Sequence, residues 1–393
     1  MTMKFPYLAL SLPALLIASC GSARSGDSAA NSAASVGTPV EAPAGAPFAI
    51  TSLGAFKEPW ALAVEPGSGN VFVTLKGGGM KFVQPATGRL GTVTGMPEVS
   101  YGGQGGMADV AFAPDYARSH TIYLSWVKAD GGKRYGVVGR GTLKCEEHDS
   151  CAVEDLKEIW RQVPALDTFG QFALRIAFAP GGKHMFVASG DMAKGDPAQD
   201  NSNNLGTIVR LNLDGTAAAG NPFAGQGSPT DQIWTYGHRN PLGLAFDAGG
   251  QLWDLEHGPR GGDEINKLVP GDNYGWPVVS NGINYNGTPI PDHDTRPDFH
   301  APAVFWTPVI APGGMTFYSG KLWPEWKGQA IVAGLATQCL ARVTLDAAGD
   351  SGKEVARYDM GKRMRGVAEA PDGSLYAIED GDGGRLLHLT PKP

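Results

Sequence analysis

Residues 236–277 read YGHRNPLGLAFDAGGQLWDLEHGPRGGDEINKLVPGDNYGWP and concentrate the side chains best suited to chemistry. Arg239 offers a planar fork of donors that suits a carboxylate, and Asn240 adds an amide that both donates and accepts. Gly258 permits unusual backbone angles and Pro259 has no N–H, so their carbonyls can point into a pocket, as a hard cation requires. Asp263 and Glu264 supply carboxylates nearby, and Tyr274 leads into a Gly-Trp-Pro corner. Gln104, in YGGQGGMADVAFAPDY, can orient a ligand oxygen without ionising. Arg363 and Arg365, in GKRMRGVAEAPDG, fall on one side of a strand, so two guanidiniums can converge on one polycarboxylate. Together these residues suit an anionic small molecule held with a divalent cation.

Such residues need a scaffold that gathers distant loops. A short apolar strand, a Pro/Gly turn and a second apolar strand recur from Trp60, Ala108, Leu174, Leu242, Gly314 and Arg365. WALAVEPGSGNVFVTL and RGVAEAPDGSLYAIEDGD are the first and last copies. Alternation is clear in each, and no segment carries a long amphipathic helix. An irregular β-sandwich is the alternative, but the regular recurrence favours radial symmetry. The expected fold is all-β: a six-bladed β-propeller with four-stranded antiparallel blades. The first strand of each pair would line the channel, its flanking loops meeting on one face. The extra length at 190–235 and 277–313 would cover the mouth.

The GHRNP, EHGPRGGDE and NYGWP motifs, with Gln104 and the Arg-x-Arg pair, resemble the soluble sugar dehydrogenases that use pyrroloquinoline quinone (PQQ) and calcium. The resemblance runs from about Pro59 to Thr390 and is strongest over 236–277. It implies that Gln104, Arg239, Asn240, Tyr285, Arg363 and Arg365 contact PQQ, with Arg239 also facing the sugar. It implies that the carbonyls of Gly258 and Pro259 bind the calcium that chelates the quinone. Asp263 and Glu264, with the Tyr274 carbonyl, resemble a second calcium position. The implied reaction oxidises an aldose at its anomeric carbon to a lactone.

Two positions depart from that pattern. Counting back from Arg175, the family's proposed histidine base falls on Gln171, and an amide takes no proton at neutral pH. The family's cofactor-facing lysine falls on Ala336. His238 and His257 are the histidines nearest in sequence to site residues. Slow turnover with Gln171 and Arg239 as the catalytic pair is the leading expectation. One alternative is a sugar- or glycan-binding propeller without turnover. The other is a calcium-dependent propeller lactonase, with ligands from 196–204 and 380–382.

The chain ends and cysteines indicate export. Residues 1–19 carry one cation, Lys4, then an apolar run ending Ile-Ala-Ser before Cys20, which resembles a bacterial lipoprotein signal with Cys20 as the lipidated residue. Pro6 and Pro13 and the shortness of the run argue against a membrane span. Residues 20–46 read as a flexible tether, leaving 47–393 for the propeller. The protein is expected on the periplasmic side, touching membrane only through its anchor. Cys145 and Cys151 flank a polar loop and could close a disulfide there, free thiols being the alternative. Cys339 reads as a buried small hydrophobe. The net charge of −7, without a basic cluster, argues against nucleic-acid binding. The sugar, the electron acceptor and the oligomeric state are not encoded in any motif.

Overall fold

Strand-forming alternation punctuated by glycine turns carries through to almost the whole chain. The structure, a computed structural model, describes residues 37–147 and 149–392. The expected leader, Cys20 and residues 21–36 of the tether lie outside the described residues, as does His148. Among the described residues the one α-helix is Tyr116–Ser119, and the remaining order is strand, turn and short 3-10 segments.

Each sequence repeat supplies an antiparallel strand pair. The first strands are Pro59–Val64, Met107–Phe112, Ala173–Phe178, Pro241–Phe246, Pro312–Phe317 and Met364–Glu369. Successive first strands touch, and the last touches the first, so their order is cyclic. Glycine allows this close approach: a Cβ on Gly313 would lie 2.5 Å from the carbonyl oxygen of Arg365 in the next unit. Every first strand also shifts register near its start, between Pro59 and Ala61 and at the corresponding places in the other five. Such bulges re-aim side chains next to sites. The result is a β-propeller-like all-β fold.

Three units form separate four-stranded sheets. The first two are fused into one eight-stranded sheet, because Arg89–Thr94 pairs in parallel with Ser150–Arg161. Cys145 and Cys151 are bonded across the turn that leads into this second strand. The chain closes on itself where Phe48–Lys57 pairs with Asp382–Pro391. The ordered fold starts before Pro47: Thr38–Val40 pairs with Phe48–Lys57, and Ala46 is buried. An edge strand bonds through its backbone, so a segment of tether-like composition joins the sheet without an apolar pattern to announce it.

Arg175 stitches the first strands together. Its guanidinium donates to the carbonyls of Leu242 (2.8 Å) and Gly313 (2.9 Å) and pairs with Asp109 (3.2 Å). Asp109 also accepts from the Ile176 amide. Four of the six first strands are tied at this point, beneath the face that carries the polar lead-in loops.

Candidate active site

Gln104, Gln171, Arg239, Asn240 and Arg363 all sit in the loops that lead into first strands, and Arg365 lies just inside one. The ring order therefore brings them to one face. Gln104 Oε1 accepts from the Gln171 backbone N–H (2.9 Å) and from Asn240 Nδ2 (3.4 Å). The Gln104 N–H in turn donates to the Phe169 carbonyl (2.6 Å).

Gln171 lies at the centre of this group. With its amide turned to satisfy both neighbours, the nitrogen donates to Asp191 and the oxygen accepts from Arg239 Nη2 at 2.9 Å. Its backbone is held at φ 58°, followed by Ala173 at 59° and Leu174 at 71°. Three non-glycine residues in the left-handed region mark a strained lead-in. Gly190 makes room for it, since a Cβ there would lie 2.0 Å from the Gln171 carbonyl oxygen.

Asp191 is the anchor of the corner and is 1% exposed. It accepts from the backbone N–H groups of Ala193 (2.8 Å) and Gly195 (3.1 Å) and from the Trp276 indole (2.8 Å). Burial pushes its carboxyl up to about 6, although these donors and Arg239 pull the other way. Arg239 donates to the His257 carbonyl (3.2 Å) and to the Tyr285 hydroxyl (3.4 Å), and its guanidinium lies 5.2 Å from the Trp276 ring. Arg239 Nε and Asn240 Oδ1 are buried without a protein partner. Buried polar atoms normally find one, so these two are available to a ligand.

Behind the mouth lies a buried acidic cluster. Glu256 accepts from the backbone N–H groups of Arg239 (2.7 Å) and Asn240 (3.3 Å), fixing the turn that carries both side chains. His238 Nδ1 reaches Glu256 (3.0 Å) and Asp254 (3.2 Å). Burial alone would lower the imidazolium, but the two carboxylates override it and raise it to about 10. Glu264 is held well above the usual carboxyl range by burial and by Glu256 and Asp254. Asp254 Oδ1 and Asn266 Oδ1 lack hydrogen-bond partners.

A cavity of about 750 Å³ adjoins this site and is lined by Gly258, Pro259, Ile283, Tyr285 and Val309 among others. Gly258 and Pro259 thus border it. Glu264 and Tyr274 sit instead in a small neighbouring pocket with Glu256 and Arg239. The Tyr274 carbonyl accepts from His293 (3.2 Å).

Residues 56–388 match the family described as Glucose / Sorbosone dehydrogenase. The chain belongs to this family. It is 37% identical over 340 residues to the aldose sugar dehydrogenase YliI of Escherichia coli, covering 85% of this chain and 90% of that one. The apo structure of the soluble aldose sugar dehydrogenase from Escherichia coli superposes with a TM-score of 0.80 at 35% identity, covering 88% of this chain and 100% of that one. The PQQ-bound aldose sugar dehydrogenase from Streptomyces coelicolor superposes at 0.72 and 27% identity, covering 89% and 100%. Membership supports an oxidoreductase scaffold of the quinoprotein sugar dehydrogenase type.

Within this dehydrogenase family fold, several expected site residues also bond to the protein itself. Asp263 lines the cavity, and its oxygens accept from the backbone N–H groups of Gly258 (2.9 Å) and Ala311 (2.6 Å), so it staples the Gly-Pro turn. Arg363 and Arg365 do converge, but on Asp380 of the protein, at 2.8 and 2.7 Å. Asn203 and Asn204 likewise spend their side chains on the backbone of neighbouring loops. Ala336 is exposed in the hairpin turn after Ala330–Gly334. His257 donates to the Pro312 carbonyl (2.6 Å), and burial with Arg239 pushes its pKa down to about 3.

Sequence reasoning missed Asp191, Trp276, Glu256 and the role of His238. A usable signal was present in the repeats. The runs VASGD, WDLEHG and YAIEDGD close second strands, each with a carboxylate at the strand end or within two residues of it. Asp191, Glu256 and Asp380 are those carboxylates, and each grips a lead-in of a first strand.

Proposed function

We propose that this protein is a PQQ- and calcium-dependent sugar dehydrogenase on a six-bladed propeller of four-stranded blades, oxidising an aldose at its anomeric carbon to a lactone. The convergence of Gln104, Gln171, Arg239 and Asn240, with two buried polar atoms left without a protein partner, carries the reading. The residues present fit the implied groups. Arg239 Nε and the remaining guanidinium donors of Arg363 and Arg365 suit a polycarboxylate. The buried oxygens around Glu264 and Asn266 suit a hard cation. Bound PQQ would supply the two-electron acceptor, and calcium would act as a Lewis acid.

The chain's own residues then bind and orient the sugar. Asp191 locks the Gln171 nitrogen, so the amide oxygen is the atom presented toward Arg239 and the sugar. That oxygen accepts a hydrogen bond from the anomeric hydroxyl but does not keep its proton. His238 and His257 cannot substitute. The first is a buried, ion-paired cation, and the second is held neutral with a very weakly basic ring. Without a general base, turnover is expected to be lower by about 10²–10⁴. The same observation supports a second reading, a sugar-binding propeller without turnover. We further propose that the protein is exported and held to a membrane through a lipid on Cys20.

The test is calorimetric titration of PQQ into the calcium-loaded protein, followed by dye reduction over an aldose panel. Stoichiometric binding with slow turnover is the expected result. Binding of PQQ and sugar without turnover selects the second reading, and no PQQ binding sinks the dehydrogenase reading.

A further inference from the structure

Second strands run antiparallel to first strands, so they end at the face where first strands begin. In the first unit Pro59, which opens the first strand, pairs with Leu75, which closes the second. Lys76 follows Leu75 and is therefore at the mouth, where its backbone N–H donates to the Glu58 carbonyl (3.0 Å). Three other units place Asp191, Glu256 and Asp380 at this point or within two residues of it. Lys76 puts a cation where those units put a carboxylate. The fifth unit's turn offers only the uncharged Leu335 and Ala336 there.

The Lys76 side chain is held without being neutralised. Its ammonium lies 5.5 Å from the centre of the Trp60 ring and 5.4 Å from that of Tyr101. Ring faces attract a cation but cancel none of its charge. Glu58 accepts from the Tyr101 hydroxyl (2.8 Å) and makes no ion pair with Lys76. Among the described residues the ammonium has no hydrogen-bond or ion-pair partner, so all its N–H donors are unspent. Arg175, Arg363 and Arg365, by contrast, are each paired with an aspartate.

Two sets of contacts place those donors. The Arg365 guanidinium lies 4.2 Å from the centre of the same Trp60 ring, so one indole carries both cations. On the other flank the Lys76 carbonyl accepts from the Met107 N–H (2.9 Å), and a Cβ on Gly106 would lie 3.0 Å from Lys76 Cγ. The ammonium is thus tied both to the Gln104 loop and to the Arg-x-Arg strand.

We propose that Lys76 is a further anion-binding residue of the mouth, donating to a carboxylate of the same polycarboxylate that Arg363 and Arg365 hold. The inference rests on the PQQ reading for the identity of that ligand. It adds a cation that no carboxylate of the protein offsets, whereas the two arginines share Asp380.

Calorimetric titration of PQQ into the calcium-loaded wild type, Lys76→Met and Lys76→Arg tests it. Trimesate, a planar tricarboxylate without a quinone, is the second probe. Lys76→Met keeps an unbranched chain against both rings and removes the charge. It should weaken binding about tenfold, as expected for loss of one charge-assisted hydrogen bond. Lys76→Arg should recover most of that loss, and circular dichroism checks that both variants fold. Added salt should weaken binding to the wild type more steeply than to Lys76→Met, since one charge fewer is there to be screened. A role in packing alone would produce neither the recovery nor the salt difference. Equal PQQ affinity in the wild type and Lys76→Met overturns the proposal and leaves the PQQ reading standing. Lys76-dependent binding of trimesate without binding of PQQ sinks the PQQ reading and leaves the anion site standing. Binding of neither probe by the wild type overturns both.

Discussion

Asp191, two residues past its strand, and Glu256, the last residue of its own, stand at the ends of second strands in neighbouring units, yet they hold the mouth in different ways. Asp191 receives two side chains, the Gln171 amide and the Trp276 indole, besides two backbone N–H groups. Glu256 receives the backbone N–H groups of Arg239 and Asn240, and its charge is balanced by the imidazolium of His238. At the first corner the partner is a side chain, so any residue with a suitably placed N–H can occupy position 171. At the second corner the partner is the backbone, so the turn is fixed whatever its side chains, provided that the buried charges remain matched. Variation at the chemically decisive position is therefore structurally cheap, whereas the Arg-Asn turn depends on a network well away from the ligand.

The largest expected effect comes from Gln171→His. An imidazole N–H can replace the amide N–H on Asp191 and leave the other ring nitrogen as a base toward the sugar. Dye-reduction kcat should rise by about 10²–10⁴. An unchanged kcat in a variant that still binds PQQ would show that position 171 is not where the proton is lost, and the non-catalytic reading would gain.

The second corner should respond in stability. His238→Leu leaves Asp254 and Glu256 buried without their cation, and removing one partner of a buried pair typically costs about 3–5 kcal/mol. Gln171→Leu removes one donor from a carboxylate that keeps three others, which should cost about 1–3 kcal/mol. Urea unfolding with an unchanged slope is the measurement. Equal losses at the two positions would erase the distinction between the corners.

Calcium sharpens the same contrast. If Glu264 and its neighbours hold a cation, calcium at about a hundredfold over its dissociation constant should add about 2.7 kcal/mol and raise Tm by on the order of 5 °C. Chelation should reverse this, and Glu264→Gln should abolish it while leaving the Asp191 corner intact. A calcium response that survives Glu264→Gln would move the cation elsewhere.

Most of the scaffold was legible because period-two alternation and glycine turns are local signals. Gln104, Arg239, Asn240 and the Arg-x-Arg pair stood out as polar groups ahead of apolar strands. Thr38–Val40 did not, since its pairing depends on an edge supplied by Phe48–Lys57 rather than on its own side chains. Asp191 was hidden for a different reason. In SGDMAKG it has the sequence of an ordinary turn aspartate, and only its burial and its partners across three loops distinguish it. The charge of His238 was illegible too, because Asp254 and Glu256 reach it only once the strands are paired.

The smallest expected signal is optical and isolates the first corner. Burial raises the Asp191 carboxyl to about 6, above the usual unfolded value near 3.9, so between these values the folded state holds the proton more tightly than the unfolded chain. Ionisation of Asp191 therefore lowers stability as pH rises from about 4 to about 6, opposite in sign to a salt-bridged carboxylate. The Trp276 indole donates to this carboxylate, so its environment changes as the proton leaves. The difference in fluorescence between the wild type and Trp276→Phe should titrate with a midpoint of about 6. In Asp191→Asn that transition should vanish, because an amide does not ionise. His238 is no competing source, since its imidazolium is raised to about 10 and keeps its charge throughout this range. A midpoint near 4 would mean that the four donors on Asp191 outweigh its burial. Gln171 would then be held by a permanently charged carboxylate, and the orientation of its amide would not depend on pH.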